Sequence, residues 1–281
     1  MRSRRNRFVG AAALVLLAAV VPAGAEEKHQ ASGKFESKNW TFTPFGAYAY
    51  PEKVGLDDAP GIVVAVSNYS FDTDFFDRYW DRGHAIETYQ KSDEALVAYL
   101  QFSKSGAYKG LSYYFGSGDG CGFCFDGSVK STVKVEKGRI HGRATFAGEP
   151  GELSFDVEFD VPVASAEFGT ALPPGGGEPG KAYLAYHKAL VDWQKDALKQ
   201  YFSDKVQADW GEHADEIVQA FRKDHPDQSA KIERGFASGE RALLLVRGET
   251  SYSKVRTEVH LLREKGSWRI VEEMLQIDFA E

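Results

Sequence analysis

The sequence predicts an α+β protein in two parts: an antiparallel β-sandwich or barrel-like domain, then helices packed on a curved antiparallel sheet. Three observations carry this. Leu153, Phe155, Val157, Phe159, Val161 and Val163 alternate with Ser154, Asp156, Glu158, Asp160 and Pro162, the period of a strand with one face buried. Residues 173–180 read Pro-Pro-Gly-Gly-Gly-Glu-Pro-Gly, which sustains neither a strand nor a helix interior. After that tract Tyr183, Tyr186, Leu190, Trp193 and Ala197 recur at three-four spacing, the period of a helix with one apolar stripe.

Taken in chain order, the first 25 residues read as a secretory leader. Arg2, Arg4, Arg5 and Arg7 precede an apolar run from Phe8 to Val21, which ends in Ala23-Gly24-Ala25. Cleavage is expected between Ala25 and Glu26, giving a periplasmic or secreted protein. No cysteine follows the leader to accept a lipid, and no later apolar run has the ~18 residues of a membrane span. Loss of the four arginines takes the net charge from −7 to −11. That balance argues against nucleic acid or an anionic bilayer as partner.

Residues 26–172 read mostly as strands. Trp40–Tyr50, Gly61–Val66, Tyr108–Phe115, Val129–Val135 and Ile140–Phe146 are candidates, and Glu136-Lys137-Gly138-Arg139 is the turn joining the last two. Ser92–Phe102 fits a short helix about as well as a strand. One-face burial along several strands implies antiparallel pairing. Residues 173–180 are expected to be a linker.

Residues 181–281 open with the stripe above, read as one helix over 181–202 and widened by Leu184, Val191 and Leu198. A second helix is expected over 212–223, with Ile217, Val218 and Phe221 on its inner face. Strands follow at 231–236, 242–247, 252–263 and 268–277, with turns at Ser238-Gly239 and Lys265-Gly266.

The segments Arg234-Gly-Phe-Ala-Ser-Gly-Glu-Arg-Ala-Leu-Leu-Leu-Val246 and Val259-His-Leu-Leu-Arg-Glu-Lys-Gly-Ser-Trp-Arg-Ile270, in this order of helices and strands, resemble the nuclear-transport-factor-2-like superfamily. The resemblance covers the last 100 residues or so and implies a cone-shaped α+β fold. Function does not come with it, because one fold hosts enzymes, ligand binders and assembly modules alike. In enzymes of that fold an interior His or Asp acts as general acid or base, and His187, between Tyr186 and Lys188 on the candidate helix, is the first residue to inspect for that role. Leu243, Leu245, Val255, Thr257, Val259 and Ile270 are expected to line the cone, with Glu258 and His260 on the solvent side.

Two motifs carry candidate chemistry. Cys121-Gly-Phe-Cys124 has the spacing of a redox pair, but it lies among Gly116, Gly118, Gly120 and Gly127 with Asp119 and Asp126 close by. A redox thiol is activated at a helix N-terminus, and nearby carboxylates oppose that activation. In an exported chain the pair reads as a disulfide pinning a loop, a ring so small that it stabilises by about 2 kcal/mol; a redox or metal role is the alternative.

The second motif is Phe71-Asp-Thr-Asp-Phe-Phe-Asp-Arg-Tyr-Trp-Asp81. Asp72, Asp74 and Asp77 offer hard oxygens for Ca²⁺ without the EF-hand spacing. Phe75, Phe76, Tyr79 and Trp80 would form a ligand platform if exposed, or a plug if packed. Nucleophile-elbow, phosphate-loop and dinucleotide motifs do not occur, and no metal or cofactor is expected. The sequence therefore points to an exported binding or envelope-assembly protein whose protein or small-molecule partner is unknown. The alternative is an enzyme acting on a small apolar or carbohydrate substrate in the C-terminal cone.

Overall fold

The computed structural model describes residues 30–38, 40–55, 57–89, 95–115, 123–124, 128–149, 152–165, 167–224, 230–249 and 254–278. The chain is α+β with antiparallel sheets throughout. It divides into two compact units between Glu167 and Phe168. Among the described residues no helix is long and apolar enough to cross a membrane.

The first unit begins with β1 (Ala31–Glu36), β2 (Thr41–Phe42), β3 (Gly46–Val54) and β4 (Ala59–Ser67). Two short helices follow, α1 (Thr73–Phe76) and α2 (Arg82–Thr88). Then come β5 (Leu96–Ser103), β6 (Tyr108–Phe115), β7 (Phe123–Cys124), β8 (Lys130–Ser131), β9 (Lys134–Glu136), β10 (Arg139–Ala147) and β11 (Ser154–Pro162). One sheet has the order β2-β1-β11-β10-β8 with β9 also on β10; the other has the order β3-β4-β5-β6-β7. Both feed one apolar cluster: Phe35, Ile140, Val157 and Phe159 from the first, Val64, Leu100 and Leu111 from the second. The alternation in β11 does what its period demands, with Phe155, Val157, Phe159 and Val161 buried. Lys137 and Gly138 both take positive φ, as the two-residue turn matched to strand twist requires.

Three expectations change here. Trp40–Tyr50 is not one strand: β2 pairs with β1, whereas β3 pairs with β4 in the other sheet. Val129–Val135 is likewise interrupted between β8 and β9. The ambiguous segment resolves as β5, where Val97, Ala98, Tyr99 and Leu100 are all buried, so it shows the continuous apolar run of a strand covered on both faces.

The second unit holds β12 (Thr170–Ala171), α3 (Gly177–Val191), α4 (Lys195–Leu198), α5 (Asp204–Trp210), α6 (Ala214–Asp224), β13 (Lys231–Ser238), β14 (Arg241–Glu249), β15 (Lys254–Glu264) and β16 (Ser267–Asp278). Its sheet runs in simple order from β12 to β16, all antiparallel. The helices and one sheet face share a core that includes Tyr183, Tyr186, Leu190, Phe202, Trp210, Leu244, Val259 and Ile270.

The Pro/Gly tract is not a free linker along its whole length. Gly176 N donates to Pro173 O at 2.9 Å, and Gly177–Gly180 form the first turn of α3. Pro179 is tolerated there because first-turn N–H groups lack intrahelical acceptors in any case. Thr170 and Ala171 pair with β13, so the division of the chain precedes the tract. The expected helix over 181–202 also breaks. Trp193 takes a left-handed φ of 53°, and Gln194 N donates to Ala189 O at 2.8 Å to end α3. Leu198 and Phe202 then return to the core, while Leu184 and Val191 stay exposed instead of widening the stripe.

Candidate functional site

In the first unit, the acidic-aromatic stretch folds as α1 and α2. Asp72 Oδ1 accepts from Phe75 N at 3.0 Å and Asp81 Oδ1 from His84 N at 2.9 Å, so both acids act as helix N-caps. Asp77 accepts from Tyr48 Oη at 2.6 Å. Of the three aspartates whose oxygens would suit Ca²⁺, Asp72 and Asp77 are thus engaged in other hydrogen bonds. Among the described residues no group of three or more His, Cys, Asp or Glu is placed to hold a metal ion. Of the two readings of the aromatics, platform or plug, the packed one describes most of them. Phe76 and Tyr79 are buried, Phe75 is half-buried against Tyr79 and Tyr89, and Trp80 is the one that reaches solvent, 37% exposed.

Under α2 the fold brings together a tyrosine and several charged residues that the sequence did not connect. Ala47 and Ala49 of β3 point into the unit's core, which puts Tyr48, Tyr50 and Glu52 on the opposite strand face. Tyr50 is 3% exposed, and its hydroxyl lies under Gly83. A Cβ at Gly83 would sit 3.2 Å from Tyr50 Oη and 3.7 Å from Asp81 Oδ1. Burial, then the charges of Glu52, Asp81 and Glu87, hold the Tyr50 phenol well above its usual pKa. Glu87 is exposed on α2, and partial desolvation of its carboxyl, then the charge of Asp81, push its pKa up to about 7. Glu52 is raised for the same two reasons, against opposing help from Lys53 and Arg82. Arg82 is 2% exposed and donates Nη2 to Ser165 O at 2.6 Å. The signal was present in the alternation Tyr48, Tyr50, Glu52 and in the Asp81-Arg-Gly start of a helix.

In the second unit, the interior between α3 and the sheet is aromatic. Tyr186 Oη donates to Glu273 Oε2 at 2.8 Å, and Tyr183 also bears on Glu273. Burial first, and then Glu273, hold both phenols well above their usual range. His187 is buried beside Tyr183, with ring centroids 6.4 Å apart. Phe202 and Trp210 pack at 4.5 Å across the same core.

The sheet register corrects the expected lining. Leu244 and Val246 are paired with Val259 and Thr257, so they share the helix-facing side; Leu243 and Leu245 pair with His260 and Glu258 and face the other way. Glu258 and His260 do lie opposite Val259, but that face is not solvent-bathed there. Glu258 is 4% exposed and its Oε1 lies 2.9 Å from His260 Nε2. A groove of about 710 Å³ runs beside β13, between Leu172, Pro173 and Gly176 on one side and Ile232, Arg234 and Phe236 on the other.

Cys121 lies outside the described residues, and Cys124 is described only as backbone of β7. Ala25 and Glu26 lie outside them as well. Comparison of the chain with protein-family profiles, with curated proteins and with solved structures finds no match.

Proposed function

We propose that the chain is an exported, two-domain, non-catalytic binding or assembly protein: a β-sandwich joined to a nuclear-transport-factor-2-like domain, delivered by the leader ending at Ala25. The observation that carries the reading is the packed aromatic interior of the second unit. Where an enzyme of that superfamily would hold substrate, Tyr183, Tyr186, Leu190, Phe202 and Trp210 fill the space between helices and sheet. Glu273 Oε2 is already engaged there by Tyr186 Oη. A group so engaged is a structural anchor, whereas a general acid or base must be within reach of a substrate proton. Recognition is then left to surfaces, such as the groove beside β13.

The alternative, an enzyme acting on a small apolar or carbohydrate substrate, has one observation on its side, the buried Glu258–His260 pair. A carboxylate against an imidazole is the orienting contact of many general bases. It lies on the sheet face away from α3, so catalysis would not use the cone interior.

The test is to express the chain with its leader and recover it from the exported fraction. The mature protein should begin at Glu26 and retain a component that native mass spectrometry finds chemically unchanged, equally in wild type and Glu258→Gln. Conversion of that component by wild type but not by Glu258→Gln would replace the binding reading with the enzymatic one.

A further inference from the structure

The outer edge of β13 is only partly occupied. β12 lies against it at Phe236 and Ala237, and Leu172 N then donates to Gly235 O at 2.8 Å. The next two residues, Pro173 and Pro174, have no N–H with which to extend the ladder. The chain leaves the sheet there and goes on to start α3. Among the described residues no strand pairs with the outer edge of β13 from Lys231 to Arg234.

The groove of about 710 Å³ runs along that open edge. Ile232 and Gly235 are buried in its floor, Leu172 is half-buried, and the exposed Pro173 and Pro174 form the far side. A space of this size takes a short peptide segment rather than a single ion. Strand addition uses such an edge, with main-chain hydrogen bonds for affinity and flanking surfaces that select side chains. The β13–β14 register slips between Ile232 and Arg234, so the edge bends at Glu233. A bent edge opposes long, flat pairing and limits the addition to a few residues.

Charge sets the kind of segment. Lys231 and Arg234 are exposed on the rim, and Glu233, the single carboxylate among the lining residues, is paired with Arg247 at 3.2 Å. With Glu233 balanced, the rim is cationic in a chain whose net charge is −7. The two cations and the apolar floor also lie on different sides. Lys231 and Arg234 pair with Arg247 and Leu245, on the sheet face opposite Ile232 and Leu244.

We propose that the groove binds a short acidic segment of a partner protein, added in extended conformation as a strand at Lys231–Arg234. Side chains alternate across a strand. A segment alternating acidic and apolar residues therefore sets its carboxylates against Lys231 and Arg234 and its apolar groups against Ile232 and Leu172. The inference rests on the binding reading above and supplies the chemistry of the partner.

Calorimetric titration of the full chain with the peptide acetyl-Val-Glu-Val-Glu-Val-amide tests it. The expected result is saturable binding that weakens as salt is raised and is lost when lysines replace the glutamates. Only alternate amides of an added strand face β13. N-methylation at one of two adjacent peptide residues should therefore abolish binding, and at the other leave it.

Lys231→Glu should weaken binding at least about fivefold, and Lys231→Glu with Arg234→Glu more. Both positions are exposed, so the melting temperature should hold. Absence of saturable binding, affinity unchanged in the double variant, or equal tolerance of both methylated peptides overturns the proposal. So does a dimer that the double variant dissociates, since a second copy would then fill the groove. Failed peptide binding by a chain that still retains its exported component overturns this site and leaves the binding reading intact.

Discussion

Replacement of Tyr186 by Phe removes a single oxygen from the interior of the second unit and nothing else. Tyr186 is fully buried, and its ring packs against Phe202 with centroids 5.2 Å apart, so the phenylalanine retains the apolar contacts. What is lost is the 2.8 Å hydrogen bond to Glu273. A bond to an ionised acceptor contributes about 1.5–3 kcal/mol. Glu273 is only half-buried and keeps the influence of Tyr183, so part of its solvation is recovered and the lower end applies. The expected cost is about 1.5 kcal/mol, roughly a tenfold shift in the folding equilibrium of this unit.

Tyr186→Ala, which also empties the ring volume, should cost about 3–5 kcal/mol. The assay is urea unfolding of the full chain, with Tyr186→Phe, Glu273→Gln and their double variant forming a cycle. If the hydrogen bond anchors the interior, the two single costs will exceed the double by about 1 kcal/mol or more. Additive costs, or a Tyr186→Phe variant within about 0.3 kcal/mol of wild type, would refute the anchoring argument and reopen Glu273 as a reactive group.

Other outcomes follow from the same geometry. Gly33→Ala should destabilise the first unit by at least about 2 kcal/mol, read by chemical denaturation: Gly33 has φ +121°, and a Cβ there would fall 2.0 Å from Asp156 O across the β1–β11 ladder. Leu244→Ala, at a fully buried site on β14, should cost about 2–5 kcal/mol; a value below about 1 would mean that the helices do not pack on this face. Glu87 gives a pH signature. Its raised folded-state pKa means the native state holds the proton more tightly than the unfolded chain, so this group's stabilising contribution is complete below about 4.5 and is lost as pH rises through about 7. Glu87→Gln should therefore raise the melting temperature relative to wild type more at pH 8 than at pH 5; an equal shift at both would show that the carboxyl titrates normally.

The parts legible in the sequence are those where a single period runs unopposed. β11 alternates cleanly because one face meets the core and the other water, and Tyr183, Tyr186 and Leu190 hold their spacing because α3 buries one stripe. Legibility fails where local composition and tertiary demand diverge. Proline and glycine in 173–180 suggest a linker, yet glycine at a helix start and proline within a first turn are both compatible with α3. Trp193 gives no sign that it will adopt a left-handed conformation. Leu243, Leu244 and Leu245 are chemically identical, so only the register against β15 shows that Leu244 faces the helices. The grouping under α2 was hidden for another reason: Tyr50, Glu52, Asp81 and Glu87 come from two segments about 30 residues apart, and only the chain reversal between them brings them together.

The outer edge of β16 has a consequence of its own. As the terminal strand of its sheet, it offers backbone donors and acceptors along 12 residues, the kind of template on which foreign strands polymerise. Ser203 N caps that edge at Ile270 O at 2.9 Å, and just beyond this point the register slips against His260–Leu261 and Glu272 and Glu273 follow. A kinked, doubly acidic stretch is poor ground for cross-β growth. Removing the acidic character of that stretch should appear as fibril seeding on storage, in addition to the folding cost already expected of Glu273→Gln.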